Sequence, residues 1–343
     1  MANFATAALV KAQAKLIKQF QAGELRFRDP AIHKLFLMNT EIMIPDYVEL
    51  RTREDRVVET NFLLRTTRAL GTGRSFNHTG DQGDSGILTP SFTTFNDKFV
   101  STLKEADNKV YSLEELHQSK LINVIANFAE GLETVASDFL FASRSGVNVS
   151  TADGAFDAVD DVFEITESTE GERAIQITAS NLGINKWQNM PFDIVADTIA
   201  WGKFMKDVNQ GTGNATNTSY QFPSGMRIIE DPKLTADAAG LVSGYADGFW
   251  IAIPRGTIAA LPWIPIQNRE GKETKENSYG TINNPIDFLN YAIHTYEERV
   301  DGTPDGGFTQ DLKTETEISL DIAFEIAPLS NAGETPVLAF AFV

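Results

Sequence analysis

The residues with the most evident chemical potential are the run Gly83-Asp84-Ser85-Gly86 and four histidines, His33, His78, His117 and His294. Gly-Asp-Ser-Gly surrounds the nucleophile of trypsin-like proteases, where an upstream histidine takes the serine proton and an aspartate holds that histidine. Those enzymes place both partners within a complete barrel before the serine. Here only about eighty residues precede it, and the upstream histidine, His33, stands in the apolar stretch AIHKL. A glycine-loop turn, with Asp84 and Ser85 bonding nearby amides, is the plainer reading. The histidines lie far apart and form no His-x-x-x-His pair, so they make no metal or triad site. Asp81 with Asp84, or Asp157 with Asp160 and Asp161, lack the alternating spacing and closing glutamate of a calcium loop. The Gly-Thr-Gly at Gly71 lacks the lysine and hydroxyl residue of a phosphate loop. Glycosylation triplets begin at Asn77, Asn148, Asn214 and Asn217, and are coincidental without an export signal. No catalytic set, metal or cofactor is expected, and the chain is read as a non-enzyme.

Composition narrows the alternatives. The 343 residues, 42% of them hydrophobic, suffice for a real core in one large or two ordinary domains. With no cysteine there is no disulfide framework, thiolate metal site or thiol nucleophile, which suits a reducing cytoplasm. The N-terminus does not read as a secretory signal, and no run of apolar residues is long enough to span a membrane. A net charge of −18 opposes general nucleic-acid binding. The charge is uneven: residues 1–34 carry six basic residues against Glu24 and Asp29, so a basic arm precedes an acidic body.

The elements follow from periodicity. Residues 5–22 predict an amphipathic helix ending at Gly23. The segment AIHKLFLMNTEIMIPDYVEL, broken by Pro45, reads either as a docking segment or as a buried strand. From Glu54 to Leu103 the sequence is β-branched on both flanks, with Gly71, Gly73, Gly80, Gly83 and Gly86 between them, which predicts a long glycine-tipped hairpin. An isolated two-stranded ribbon is marginal in water, so this excursion needs something to lie on. Between Val110 and Asn148, Leu121, Val124, Ile125, Phe128, Ala129, Leu132, Val135, Ala136, Phe139 and Leu140 form a continuous helical stripe. Ser112 and Glu115 make a capping box, and Gly146 is placed to end the helix. Beyond an acidic boundary come a helix from about Arg173 to Gln188 and a strand-to-helix unit, MPFDIVADTIAWGKF, with Asp197 as N-cap. MRIIEDP and GFWIAIPRGTIAAL give further strands, Ile286–Asn290 a helical turn, and Tyr291–Val300 either helix or strand. TEISLDIAFEIA alternates as a half-buried strand, with PVLAFAFV as its partner. An α+β chain results.

This order of parts resembles the major capsid protein of tailed bacteriophages, the Hong Kong ninety-seven-like fold that encapsulins share. The resemblance implies an N-terminal arm (1–53), an extended loop (54–104), the spine helix of a peripheral domain (105–150), an axial domain (151–284), and a return to the peripheral domain with a C-terminal β ribbon (285–343). It also implies self-assembly into hexamers and pentamers of an icosahedral shell, built in the host cytoplasm and enclosing double-stranded DNA without sequence-specific contacts. Portal and minor capsid proteins would be partners. With no room for a scaffolding domain before the loop, a separate scaffolding protein is expected as well. The loop's lysines, Lys98 and Lys104, lie near its base, which speaks against covalent crosslinking from its tip. Arg65, Arg68 and Arg74 are expected to pair with acidic groups of a neighbouring subunit, and Asp81 and Asp84 to join inter-subunit contacts. An encapsulin-type compartment and a β-rich hydrolase or binding protein are the alternatives.

Overall fold

The computed structural model describes residues 4–24, 27–44, 54, 56, 59–63, 72, 85–102, 112–145, 152, 154–185, 187, 190–209, 219–221, 226–274, 276–301, 310–327 and 335–343. Its axis is α3, Leu113–Ala142, thirty residues and so roughly 45 Å long. The expected capping box is present: Glu115 N–H donates to Ser112 Oγ, and Ser112 N–H donates to the Glu115 carboxylate. The helix closes at Ser143, and Gly146 lies outside the described residues. The stripe is buried as its spacing requires, except that Val135 and Phe139 are half-exposed. Two helices of the arm, α1 (Phe4–Gln21) and α2 (Ala31–Met43), pack on α3. The α2 segment is therefore helix rather than buried strand, and it docks on α3 and β10. Ile32, Leu35 and Phe36 recur at helical spacing and are buried together with Met43.

Two large sheets flank this axis. Five antiparallel strands form the first: β3 (Thr93–Thr102), β10 (Ile258–Trp263), β11 (Asn277–Asn283), β12 (Asn290–Asp301) and β13 (Gln310–Ile326). The length of β13 lets it pair with β12 through residues 310–319 and with β10 through 321–326, while β3 pairs with residues 313–322. Tyr291–Val300, ambiguous in sequence, is thus strand. The sheet's buried residues, such as Ile293, Ile318, Leu320 and Ile322, meet the apolar side of α3.

The second sheet runs in the order β4 (Ala155–Asp157), β5 (Val162–Ile165), β14 (Leu338–Phe342), β9 (Phe249–Pro254), β6 (Phe192–Ala196), β8 (Arg227–Glu230) and β7 (Ser219–Gln221). It carries the short α4 (Glu167–Glu170), α5 (Ala174–Ile184), α6 (Thr198–Asn209) and α7 (Pro232–Ala239). The Asp197 carboxylate accepts Ala200 N–H at 2.6 Å, the expected cap of α6. Trp250 stacks on Phe340 at 5.7 Å, and its indole N–H donates to Thr178 Oγ1 on α5. Because every residue of β9 and β14 is buried, these strands read as unbroken apolar runs.

One expectation is corrected here. PVLAFAFV does not partner TEISLDIAFEIA; it becomes β14, parallel to β5 and antiparallel to β9, in the other sheet. The chain leaves the seven-stranded sheet in the turn after Pro254, at Gly256, and returns to it only at Leu338. The expected helical turn at Ile286–Asn290 is a single turn capped by Asn284, whose side-chain oxygen accepts Ile286 N–H and whose carbonyl accepts Phe288 N–H, both at 2.9 Å.

Candidate functional site

The residues expected at subunit contacts, Arg65, Arg68, Arg74, Asp81 and Asp84, lie outside the described residues. Ser85 and Gly86 of the protease-like run are described, and they open β2 (Ser85–Leu88), which pairs antiparallel with β1 (Thr60–Leu63). These two strands form a ribbon of their own. Its register sets Asn61 opposite Ile87 and Leu63 opposite Ser85, so all four share one face. That face is open: Leu63 is 92% and Ile87 64% exposed. The other face is half-buried, and Leu88 packs at the margin of a small core of Met43, Ile44, Ala259, Leu261 and Ala323. The ribbon is thus rooted at its base and lacks cover on one side. The far flank of the expected hairpin continues as β3, which pairs with β13 rather than with β1.

A buried polar cluster fixes the arm to the spine. Pro30, at the N-terminus of α2, supplies no side-chain cap. Glu133 of α3 supplies it instead, its carboxylate accepting Ile32 N–H at 3.1 Å and His33 N–H at 2.9 Å. Burial raises the Glu133 carboxyl to about 7 despite those two bonds. One turn away, Arg28 N–H donates to Glu130 at 2.9 Å, and the Arg28 guanidinium binds the fully buried Asp231. Asp231 also accepts the Ser137 hydroxyl and Lys233 N–H, so one carboxylate caps α7 and joins arm, spine and the seven-stranded sheet.

The described candidates, His33, His117, His294, Asp157 and Asp160, fall into structural roles, and His78 lies outside the described residues. The His33 ring lies 3.9 Å from Asp287, but burial lowers its pKa to about 3, so it is neutral and the contact is not an ion pair. Asp287, its carboxyl raised by burial, accepts the Tyr291 hydroxyl, which in turn accepts from Asn284 Nδ2 at 3.0 Å. Asp160 accepts the N–H groups of Val242 and Ser243, while Asp157 accepts the hydroxyls of Ser243 and Tyr245, tying two loops together. His117 packs against Phe99 and His294 stacks on Tyr279. Among the described residues no group of three or more side chains is placed to hold a metal ion, and no helix is long and apolar enough to cross a membrane. Glu133, Arg28 and Asp231 were missed in sequence because each works across at least a hundred positions or between separate elements. The only local signal was Asp231-Pro232, a helix-start pair.

No protein-family model matches the chain, and no curated protein sequence matches it. Similarity is found among solved structures. The capsid asymmetric unit of cyanophage A-1(L) is 10% identical, with 90% of this chain and 94% of that one covered, at a TM-score of 0.48. The capsid of cyanophage P-SCSP1u is 9% identical, covering 84% and 83%, at 0.46. The mature capsid of bacteriophage PhiM1 is 12% identical, covering 84% and 82%, also at 0.46.

Proposed function

We propose that this chain is the repeating subunit of a closed icosahedral shell, the major capsid protein of a tailed phage, with a structural rather than a catalytic role. The observation that carries this reading is the β1–β2 ribbon. Two strands alone are marginal in water, and this pair turns Leu63 and Ile87 outward on one face with no cover from the described residues of its own chain. A neighbouring copy laid against that face completes the burial. The order of described elements supports the reading: a helical arm, a ribbon, a thirty-residue helix, and two sheets linked by the turn at Gly256.

On this reading α3 with the five-stranded sheet is the peripheral domain and the seven-stranded sheet the axial domain. Their boundary is then near residue 255, with β14 returning to the axial sheet. Arg65, Arg68 and Arg74 are assigned to pairing with acidic groups of the next subunit, together with Asp81 and Asp84. A separate scaffolding protein, portal and minor capsid proteins, and packaged DNA held without sequence reading complete the partners. Assembly takes place in the host cytoplasm.

Electron microscopy and sedimentation of the full chain, made alone and with a candidate scaffolding protein, test the proposal. Closed particles support it, and a monomer under both conditions overturns it. Efficient closure of the chain alone removes the scaffold from the scheme. Replacing Arg65, Arg68 and Arg74 together with glutamate is expected to abolish the sedimenting fraction; an unchanged yield would sink their assignment.

A further inference from the structure

The turn between β11 and β12 is built to hold one aromatic ring in solvent. Asn284 Oδ1 accepts Ile286 N–H, the Asn284 carbonyl accepts Phe288 N–H, and Asp287 Oδ1 accepts Leu289 N–H, all within 3.0 Å. Ile286, Asp287 and Leu289 are buried, whereas Phe288 between them is 75% exposed. Its φ is +63°, a left-handed conformation that bulky side chains rarely adopt. A strained backbone that projects a phenyl group into water gains nothing within its own subunit.

The same molecule carries a hole of matching kind. Between β3 and α3 lies an open cleft of about 280 Å³, lined by Phe95, Asp97, Phe128, Gly131, Leu132 and Val135. A cavity of about 150 Å³ is enough to accept benzene. Gly131 stands in mid-helix with no atom within 4 Å of where a Cβ would lie, so any larger residue there would project into the cleft. Glycine is otherwise a poor choice in an exposed helix interior.

We propose that Phe288 of one copy seats in the β3–α3 cleft of the next. Phe288 is too exposed to be filling the cleft of its own chain. A projection and a hole at different places on one surface give a head-to-tail contact, the kind that closes into rings such as hexamers and pentamers. The inference rests on the shell-subunit reading and names one of its contacts.

The chain has no cysteine, so engineered thiols report without background. Chains carrying Phe288→Cys are co-expressed with chains carrying Val135→Cys, and a disulfide-linked dimer is expected in the mixture but in neither variant alone. Gly131→Phe, which fills the cleft from within, is expected to cut the assembled fraction at least tenfold while leaving subunit melting unchanged. Normal shells without the mixed disulfide, or normal assembly of Gly131→Phe, overturn the proposal. So does a disulfide from Ile87→Cys to Val135→Cys in place of the expected one, which gives the cleft to the ribbon. If the unmodified chain forms neither rings nor shells, the shell-subunit reading fails and this contact falls with it; intact shells with no mixed disulfide sink this contact alone.

Discussion

Glu133 accepts the backbone N–H of His33 at 2.9 Å, so the middle of the spine helix caps the start of α2 one hundred residues earlier in the chain. A helix N-terminus leaves its first N–H groups unsatisfied and carries partial positive charge, which favours a carboxylate. Burial opposes this and raises the Glu133 carboxyl to about 7. The folded chain therefore binds this proton more tightly than the unfolded chain does, whose carboxyl keeps the usual value of 4.5. Its stabilising contribution is full below that value and is lost as pH rises through about 7. Urea unfolding of the subunit is expected to show stability falling between about pH 4.5 and 7, by an amount on the order of 2–3 kcal/mol from this group. Glu133→Gln should flatten that slope, and an unchanged slope in the variant would remove Glu133 as its source.

The neighbouring pair of Arg28 and Asp231 behaves differently, because Asp231 is fully buried and multiply bonded. Removing the guanidinium leaves a buried carboxylate short of its cation. Arg28→Ala is expected to destabilise the subunit by about 2–4 kcal/mol, reduced from the range for fully buried pairs because the Arg28 side chain is 32% exposed. Chemical denaturation measures it directly, and a loss below about 0.5 kcal/mol would show that Ser137 and Lys233 N–H suffice.

What could be read from sequence was local. The spine helix announced itself through a stripe spanning twenty residues and a capping box three residues wide, and both are present. Asp197 capping α6 lay next to its helix in the same way. The α2 helix was missed because its cap comes from Glu133, and because Pro45 argues against helix although it stands just past Met43, where the helix ends. PVLAFAFV read correctly as buried strand, but nothing in an unbroken apolar run says which sheet receives it. Its partners, β5 and β9, are set by tertiary packing. At the candidate site the ribbon was legible from its flanking residues. The outward face of Leu63 and Ile87 depended on register, which the sequence alone does not determine.

Gly256 marks the passage between the two sheets in a backbone conformation that disfavours a side chain. Its φ is +77°, and a Cβ there would lie 2.5 Å from Ile42 Cγ2 on α2. Gly256→Ala combines backbone strain with a steric clash and should destabilise by about 2–4 kcal/mol. Ile42→Ala in the same chain relieves only the clash, so the double variant should recover part of that loss. A double-mutant cycle by thermal unfolding checks this, with a coupling near zero meaning that α2 does not bear on the turn.

The ribbon offers the separation of folding from assembly. Leu63 and Ile87 are diagonal neighbours on one exposed face, with Asn61 and Ser85 beside them. Since both are already in water in the isolated subunit, Leu63→Glu and Ile87→Glu together should change its stability by no more than about 0.5 kcal/mol. Against a neighbouring copy the same two charges would have to be desolvated without partners, which costs several kcal/mol and is multiplied by every subunit of a shell. The double variant is therefore expected to melt like the parent chain and to stay out of the sedimenting fraction. Unfolding curves and sedimentation on the same preparation decide it. Shells of normal yield would show that this face looks outward into solvent, whereas a lowered melting temperature would place the two side chains within the subunit's own packing.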